Sequence, residues 1–220
     1  MIAAKFAQHL CQKKRICVKR NTIGIAVKTQ DHTTEGTGPQ SYNLLAMPKL
    51  DLSRLWEEHT SHEFVTRDTE STLATMVEDA HVNHVPVMTG GCGKSALRSF
   101  YSRDFIPSMP PDTKLTPVSR TIGENQLVDE MIFSFTHTQE MPWMLPGILP
   151  TNARVEIPLV AIVGFRDGKL VSEHIYWDQA SVLKQIGLLS DPRLPVFGAE
   201  TARKVIDPGF TPGTAEGSRP

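Results

Sequence analysis

Little in this sequence points to a crosslinked, membrane-spanning or nucleic-acid-binding protein. Three cysteines, Cys11, Cys17 and Cys92, cannot pair evenly, so a disulfide framework is not expected. No apolar run approaches the roughly 20 residues needed to cross a bilayer, and the N-terminus lacks the apolar core of a secretory signal. Neither sign of charge dominates: 23 Lys and Arg stand against 24 Asp and Glu. Nucleic acid and acidic membranes are therefore not expected as partners, and a small ligand of little charge fits better. A cytoplasmic protein is the expectation. Residues 1–30 do lack acids altogether while carrying seven Lys or Arg from Lys5 to Lys28. That balance also suits a mitochondrial targeting segment, although the segment is poor in Ser and has no convincing amphipathic period.

What is present divides into three parts. Residues 1–46 are basic, then polar, and too poor in apolar pattern to bury a core; they read as a disordered extension. Residues 47–190 carry the periodic pattern of one folded domain. Residues 191–220, with Pro192, Pro195, Pro208, Pro212 and Pro220, read as a loosely packed tail. Within the domain, Leu52, Leu55 and Trp56 make a helical stripe that Asp51 or Ser53 can cap, and Asp68 or Thr69 can cap a second helix through Leu73 and Met76. Residues 80–88 predict a strand and 94–106 a helix stopped by Pro107. The period then changes to two, predicting strands over 114–122, 127–137, 154–165 and 169–178. Helices followed by a hairpin-connected sheet predict an α+β fold. Leu127, Met131, Phe133 and Phe135 share a face with Asp129 and His137, the mixture expected of a pocket wall.

The last strand carries the densest chemistry. Alternation puts Ser172, His174, Tyr176 and Asp178 on one face and Val171, Glu173, Ile175 and Trp177 on the other. The polar face suits a wet cavity with proton-transfer groups; an exposed edge strand is the alternative. The run MTGGCGKS at 88–95 nearly spells a phosphate-binding loop, but Met88 stands where the first Gly belongs and the following strands are hairpins. The same run resembles a cysteine nucleophile elbow at Cys92, with Lys94 in place of the closing Gly. A glycine-rich turn before a helix fits better than either. His59 and His62, and His81 and His84, lack metal-ligand spacing, so no metal is expected.

The order of elements, the ending EHIYWDQASVLKQIG, and the segments HVPVMTGG, LVDEMIFSFTH and IPLVAIVGFRDGKLV resemble the SnoaL-like proteins of the nuclear-transport-factor-two-like superfamily over about residues 50–190. The resemblance implies a cone-shaped, antiparallel-rich curved sheet wrapped around three N-terminal-side helices and enclosing one apolar pocket, commonly as a homodimer. It implies polyketide cyclases, ketosteroid isomerase relatives, dehydratases or epoxide hydrolases of secondary metabolism, acting on a small hydrophobic oxygenated metabolite without a cofactor. Non-catalytic ligand-binding or dimeric scaffold proteins belong to the same group. Asp178 matches the cyclase acid/base position, with His174 as its partner and Tyr176 as a donor. In a hydrolase, Arg120 and Asp129 would orient water. Asn83 or His84, His137 and Trp143 complete the expected pocket, Trp143 through a lid formed with Met141, Met144 and Leu145. A lactone hydrolase using Cys92 is the remaining alternative.

Overall fold

The computed structural model describes residues 50–212; the expected extension over 1–46 and the last residues of the tail lie outside them. Helix α1 (Leu52–Phe64) starts where the Asp51 carboxylate accepts the Arg54 backbone N–H at 3.0 Å. Its buried face is Leu52, Trp56, His59 and Glu63, an i, i+4, i+7 spacing that turns two ionisable groups into the core together with two apolar ones. Helix α2 (Thr69–Ala74) starts at Asp68, whose carboxylate accepts from Glu70 and Ser71. Strand β1 (Met76–His84) turns through Pro86 and Met88 into β2 (Thr89–Cys92). Helix α3 (Lys94–Ser99) continues into a π-helical turn over Phe100–Phe105. The wider turn carries Phe100, Tyr101 and Phe105 inward, and Pro107 follows it.

Strands β3 (Lys114–Ile122), β4 (Gln126–Thr136), β5 (Arg154–Arg166) and β6 (Lys169–Trp177) then form a meander, closed by α4 (Gln179–Gln185). The six strands lie in the order β2-β1-β6-β5-β4-β3, with β1 parallel to β6 and every other pair antiparallel. This mixed sheet curves around the N-terminal helices as the α+β cone requires. Its concave face carries Leu127, Met131, Phe133 and Phe135 of β4 with Val155, Ile157, Leu159, Ala161 and Val163 of β5. Met141, Trp143, Met144 and Leu145 of the β4–β5 connection are all buried against this core. Thr89 donates to the Trp143 carbonyl at 2.6 Å and Gln179 to the Met144 carbonyl at 3.1 Å, pinning the connection as part of the wall.

Three expectations change. The strand expected over 80–88 runs four residues earlier, because the Pro86–Met88 turn, with Met88 at φ 56°, ends it. The glycine-rich run is edge strand β2, and its backbone approaches β1 so closely that a Cβ on Gly90 (φ 132°) would lie 2.1 Å from the Val82 carbonyl oxygen. The segment expected as a loose tail carries helix α5 (Glu200–Ile206), whose Ala202 is fully buried. Ser181 and Lys184 of α4 donate to the carbonyls of Phe197 and Val196, which ties this largely exposed stretch to α4 ahead of the helix.

Candidate functional site

Between the concave sheet face, α1 and the π-helical turn lies a cavity of about 260 Å³. Most of its lining is apolar, with Val82, Phe100, Phe105, Met131, Phe133, Leu159 and Ile175 prominent. Besides Thr60 and His84, two clusters of polar side chains interrupt that lining. Arg120 and Glu57 stand toward solvent, Glu57 exposed and Arg120 partly so, with the buried Asp129 carboxylate behind them. Glu63, Tyr101 and Glu173 stand on the interior wall, each almost wholly buried.

The interior group is built on His59. Its Nε2 lies 3.0 Å from Glu173 Oε1 and 3.2 Å from Glu63 Oε1, and its Nδ1 lies 2.6 Å from Thr75 Oγ1. The Thr75 hydroxyl donates its one hydrogen to the Thr72 carbonyl at 2.6 Å, so toward His59 it can only accept. Nδ1 therefore carries a proton. Nε2 faces only carboxyl oxygens and carries one as well, which makes the ring an imidazolium. The electrostatics agree: burial opposes the charge, but Glu173 and Glu63 together outweigh it and raise the pKa from 6.5 to about 10. Burial raises the Glu63 pKa, with His59 opposing, and burial also raises the Tyr101 phenol well above its ordinary range, helped by Glu173 and Glu63. Two carboxyl groups thus share one cation at an apolar wall, an arrangement that keeps a proton available between them. One nitrogen and two oxygens within 4.8 Å of one another are also a set that could hold a metal ion.

At the outer group, Arg120 meets both Asp129 oxygens, at 3.0 and 2.9 Å, and Glu57 at 2.8 Å. The Trp56 indole donates to Asp129 Oδ2 at 2.9 Å. This bidentate pair is shielded enough to hold its geometry, and it fixes the cavity side of β3 and β4 against α1.

Of the residues expected from the sequence, the structure brings His84, Arg120, Asp129 and Trp143 to the cavity. The others lie elsewhere. Asp178 is exposed and caps α4, accepting the Ala180 backbone N–H at 2.9 Å. Tyr176 is 41% exposed, and His174 turns to the convex side, where its Nε2 lies 3.0 Å from Nε2 of His81. Asn83 pairs with His174 in the parallel register, also off the cavity. His137 is buried beside Thr151 outside the lining, and Cys92 is exposed at the end of β2. The physical reason for the β6 correction is parity. The face bearing Glu173, Ile175 and Trp177 packs inward because Ile175 and Trp177 have more apolar surface to bury than Ser172, His174 and Tyr176. His59, Glu63, Tyr101 and Glu173 were missed as a site. Their signal is an ionisable residue sitting on an otherwise apolar stripe.

Fold and cavity together define an α+β cone protein with a largely apolar internal cavity. Residues 58–186 match the family described as SnoaL-like polyketide cyclase, and the chain belongs to that family. A putative SnoaL-like polyketide cyclase from Jannaschia sp. CCS1 is similar at 15% identity and TM-score 0.51, over 66% of this chain and 97% of that one. AclR from Streptomyces galilaeus, a putative hydroxylase, is similar at 20% identity and TM-score 0.50, over 64% and 88%. At such identities the likeness concerns the fold alone. No curated protein matches the sequence significantly.

Proposed function

We propose that this protein is a cofactor-independent acid–base enzyme acting on a small, hydrophobic, oxygenated metabolite, of isomerase, cyclase or dehydratase type. The observation that carries the reading is the pair Glu63 and Glu173, held on one buried imidazolium and facing an apolar cavity. Glu63, whose pKa burial raises, delivers a proton to one atom of the substrate, and Glu173 removes one from a neighbouring carbon. The net change is a shifted double bond, or loss of water when the protonated group is a hydroxyl. His59, set behind the carboxyls and outside the lining, is a positioning residue. Its ring holds the two carboxyl groups at one place, one of them carrying the proton to be delivered. Family membership supports this reading, and a place in secondary metabolism and a homodimer belong to the same proposal.

The test is untargeted mass spectrometry of a metabolite extract incubated with wild type, Glu63→Gln or Glu173→Gln, each checked for folding by circular dichroism. A species consumed by wild type only, with product mass unchanged or lowered by one water, is the expected result. Equal consumption by a folded Glu63→Gln protein would refute the role of the pair. Retention of one unaltered small molecule by all three proteins would replace the enzyme with a binding protein.

A further inference from the structure

The convex side of the sheet, away from the cavity, brings two imidazoles into contact. His81 stands between Ala80 and Val82, both buried, so its side chain leaves the opposite face of β1. In the parallel register His81 pairs with Ser172 and Asn83 with His174, which makes His81 and His174 diagonal neighbours across the β1–β6 seam. Their rings close that diagonal: Nε2 lies 3.0 Å from Nε2, with ring centroids 5.2 Å apart and planes inclined at 47°. Two nitrogens at this separation can hold one proton between them, one ring donating to the lone pair of the other. The same gap admits a cation once both rings carry their proton on Nδ1. Burial, and then the neighbouring His174, hold the His81 pKa below its ordinary 6.5 against the opposing pull of Glu173 and Asp79, so this ring is neutral at pH 7. Spacing along the chain hides the pair, because the partner of His81 comes from another strand.

We propose that His81 and His174 form a two-nitrogen site for a tetragonal first-row cation, nickel(II) or copper(II), which joins β1 to β6 on the face opposite the cavity. An ion at roughly 2.0–2.1 Å from each ring sees nitrogens that stand 3.0 Å apart at an angle of about 94°. That is close to the right angle between neighbouring ligands of a square or octahedral ion, whereas a tetrahedral ion such as zinc asks for nitrogens about 3.3 Å apart. Imidazole suits such ions, and water completes the coordination, since both side chains are half-buried and not enclosed. Both donors sit on paired strands, so the ladder holds them in place before an ion arrives. The β1–β6 seam is also the one parallel junction among the described strands, and its register shifts between Met76 and His81. Through it the β1–β2 hairpin joins the meander, so an ion there is a crosslink that favours the folded chain by mass action. Cys92, exposed, pairs with His81 from the β2 side, so its thiol is a rival ligand on the same face.

Calorimetric titration of nickel chloride into the full chain at pH 7 tests the site without any turnover. His81→Ala and His174→Ala should each weaken the tightest binding step at least about tenfold, since loss of even an outer partner of a metal ligand commonly costs about 10- to 100-fold. Cys92→Ser should bind as wild type does. Nickel should also raise the urea midpoint of wild type and leave that of His174→Ala in place. Should the alanine variants fail to fold, a wild-type crystal soaked in nickel decides: an anomalous difference peak should lie about 2.1 Å from both Nε2 atoms. Nickel bound equally tightly by a folded His81→Ala or His174→Ala protein overturns the proposal. So does loss of the tight step in Cys92→Ser, which would assign the ion to the thiol. An unmoved wild-type midpoint, or an anomalous map with no peak between the two rings, would overturn it as well.

Discussion

Alkaline pH should destabilise this protein through one buried proton. His59 has a folded pKa of about 10 against an ordinary 6.5. A group whose folded pKa is raised contributes stability that is fully present below its unfolded value, here 6.5, and lost as pH rises through the folded value. At 1.36 kcal/mol for each pH unit, the loss between those limits is at most about 5 kcal/mol. Glu63 acts with the same sign over a more acidic window, since its pKa is also raised and its contribution starts to fall above its ordinary 4.5. A loss of this size is comparable with the whole stability of many domains. Urea melts at half-unit steps from pH 6 to 10 should show the midpoint falling steadily, with the steepest part above pH 6.5. His59→Gln removes the titrating group and should flatten that slope, starting from a protein about 3 kcal/mol or more less stable because two buried carboxyls lose their cation. A wild-type midpoint that stays level from pH 6.5 to 10 would refute the imidazolium. So would a parallel decline in His59→Gln, which would assign the slope to other groups.

Asp178→Ala should cost about 1 kcal/mol, the usual loss of an N-cap, and leave turnover unaltered; loss of turnover in a folded variant would return the chemistry to the α4 corner. Gly90→Ala should be strongly destabilising, by about 2 kcal/mol or more, because its Cβ has the Val82 carbonyl 2.1 Å away; an unchanged melting temperature would mean that β2 moves off β1 freely. Arg120→Gln leaves the nearly buried Asp129 carboxylate with the Trp56 indole and little else, and should cost about 3 kcal/mol in denaturant melts. Melting unchanged by that substitution would show the Arg120–Asp129 pair to be solvated.

The fold was more legible than the site, and for a physical reason. Periodicity is written by apolar residues, and Leu127–Met131–Phe133–Phe135 or Leu52–Trp56 state a buried face without help from anything else in the chain. Caps are equally local, so Asp51 and Asp68 mark where helices begin. The β1–β2 hairpin was displaced because a strand of mixed residues and a glycine-rich edge carry little pattern, and α5 escaped notice because seven residues of helix among prolines are held by packing on β5 instead of by their own sequence. Site residues fail differently. On β6 both faces carry polar groups, and parity cannot tell which face the core will take. Counting apolar area would have decided it, since Ile175 and Trp177 outweigh anything on the other side. Polar residues then enter the core on the apolar stripe: His59 and Glu63 at i, i+4 on α1, Glu173 at i−2 from Ile175. Their mutual contact joins α1 to β6, and no short-range signal encodes a pairing across more than a hundred residues.

The same three side chains pose one further question, because a divalent cation and a proton would compete for Nε2 of His59. A metal-ligating histidine commonly donates its other nitrogen to a fixed acceptor, as His59 does to Thr75, so the outer hydrogen bond does not distinguish the two. The cost of displacing the proton does. With a pKa of about 10, removing it at pH 7 takes about 4 kcal/mol, which lowers metal affinity roughly a thousandfold relative to an unprotonated site. Purified protein dialysed at pH 7 should therefore hold far less than one equivalent of zinc, iron or manganese by elemental analysis. Zinc affinity should rise about tenfold per pH unit between 7 and 9, as one proton is released per ion bound. One equivalent of metal retained through dialysis at pH 7, or zinc binding independent of pH, would make Nε2 a lone-pair ligand. In that case the alkaline loss of stability should disappear with the metal bound, and Glu63 and Glu173 would serve as ligands with no proton to share.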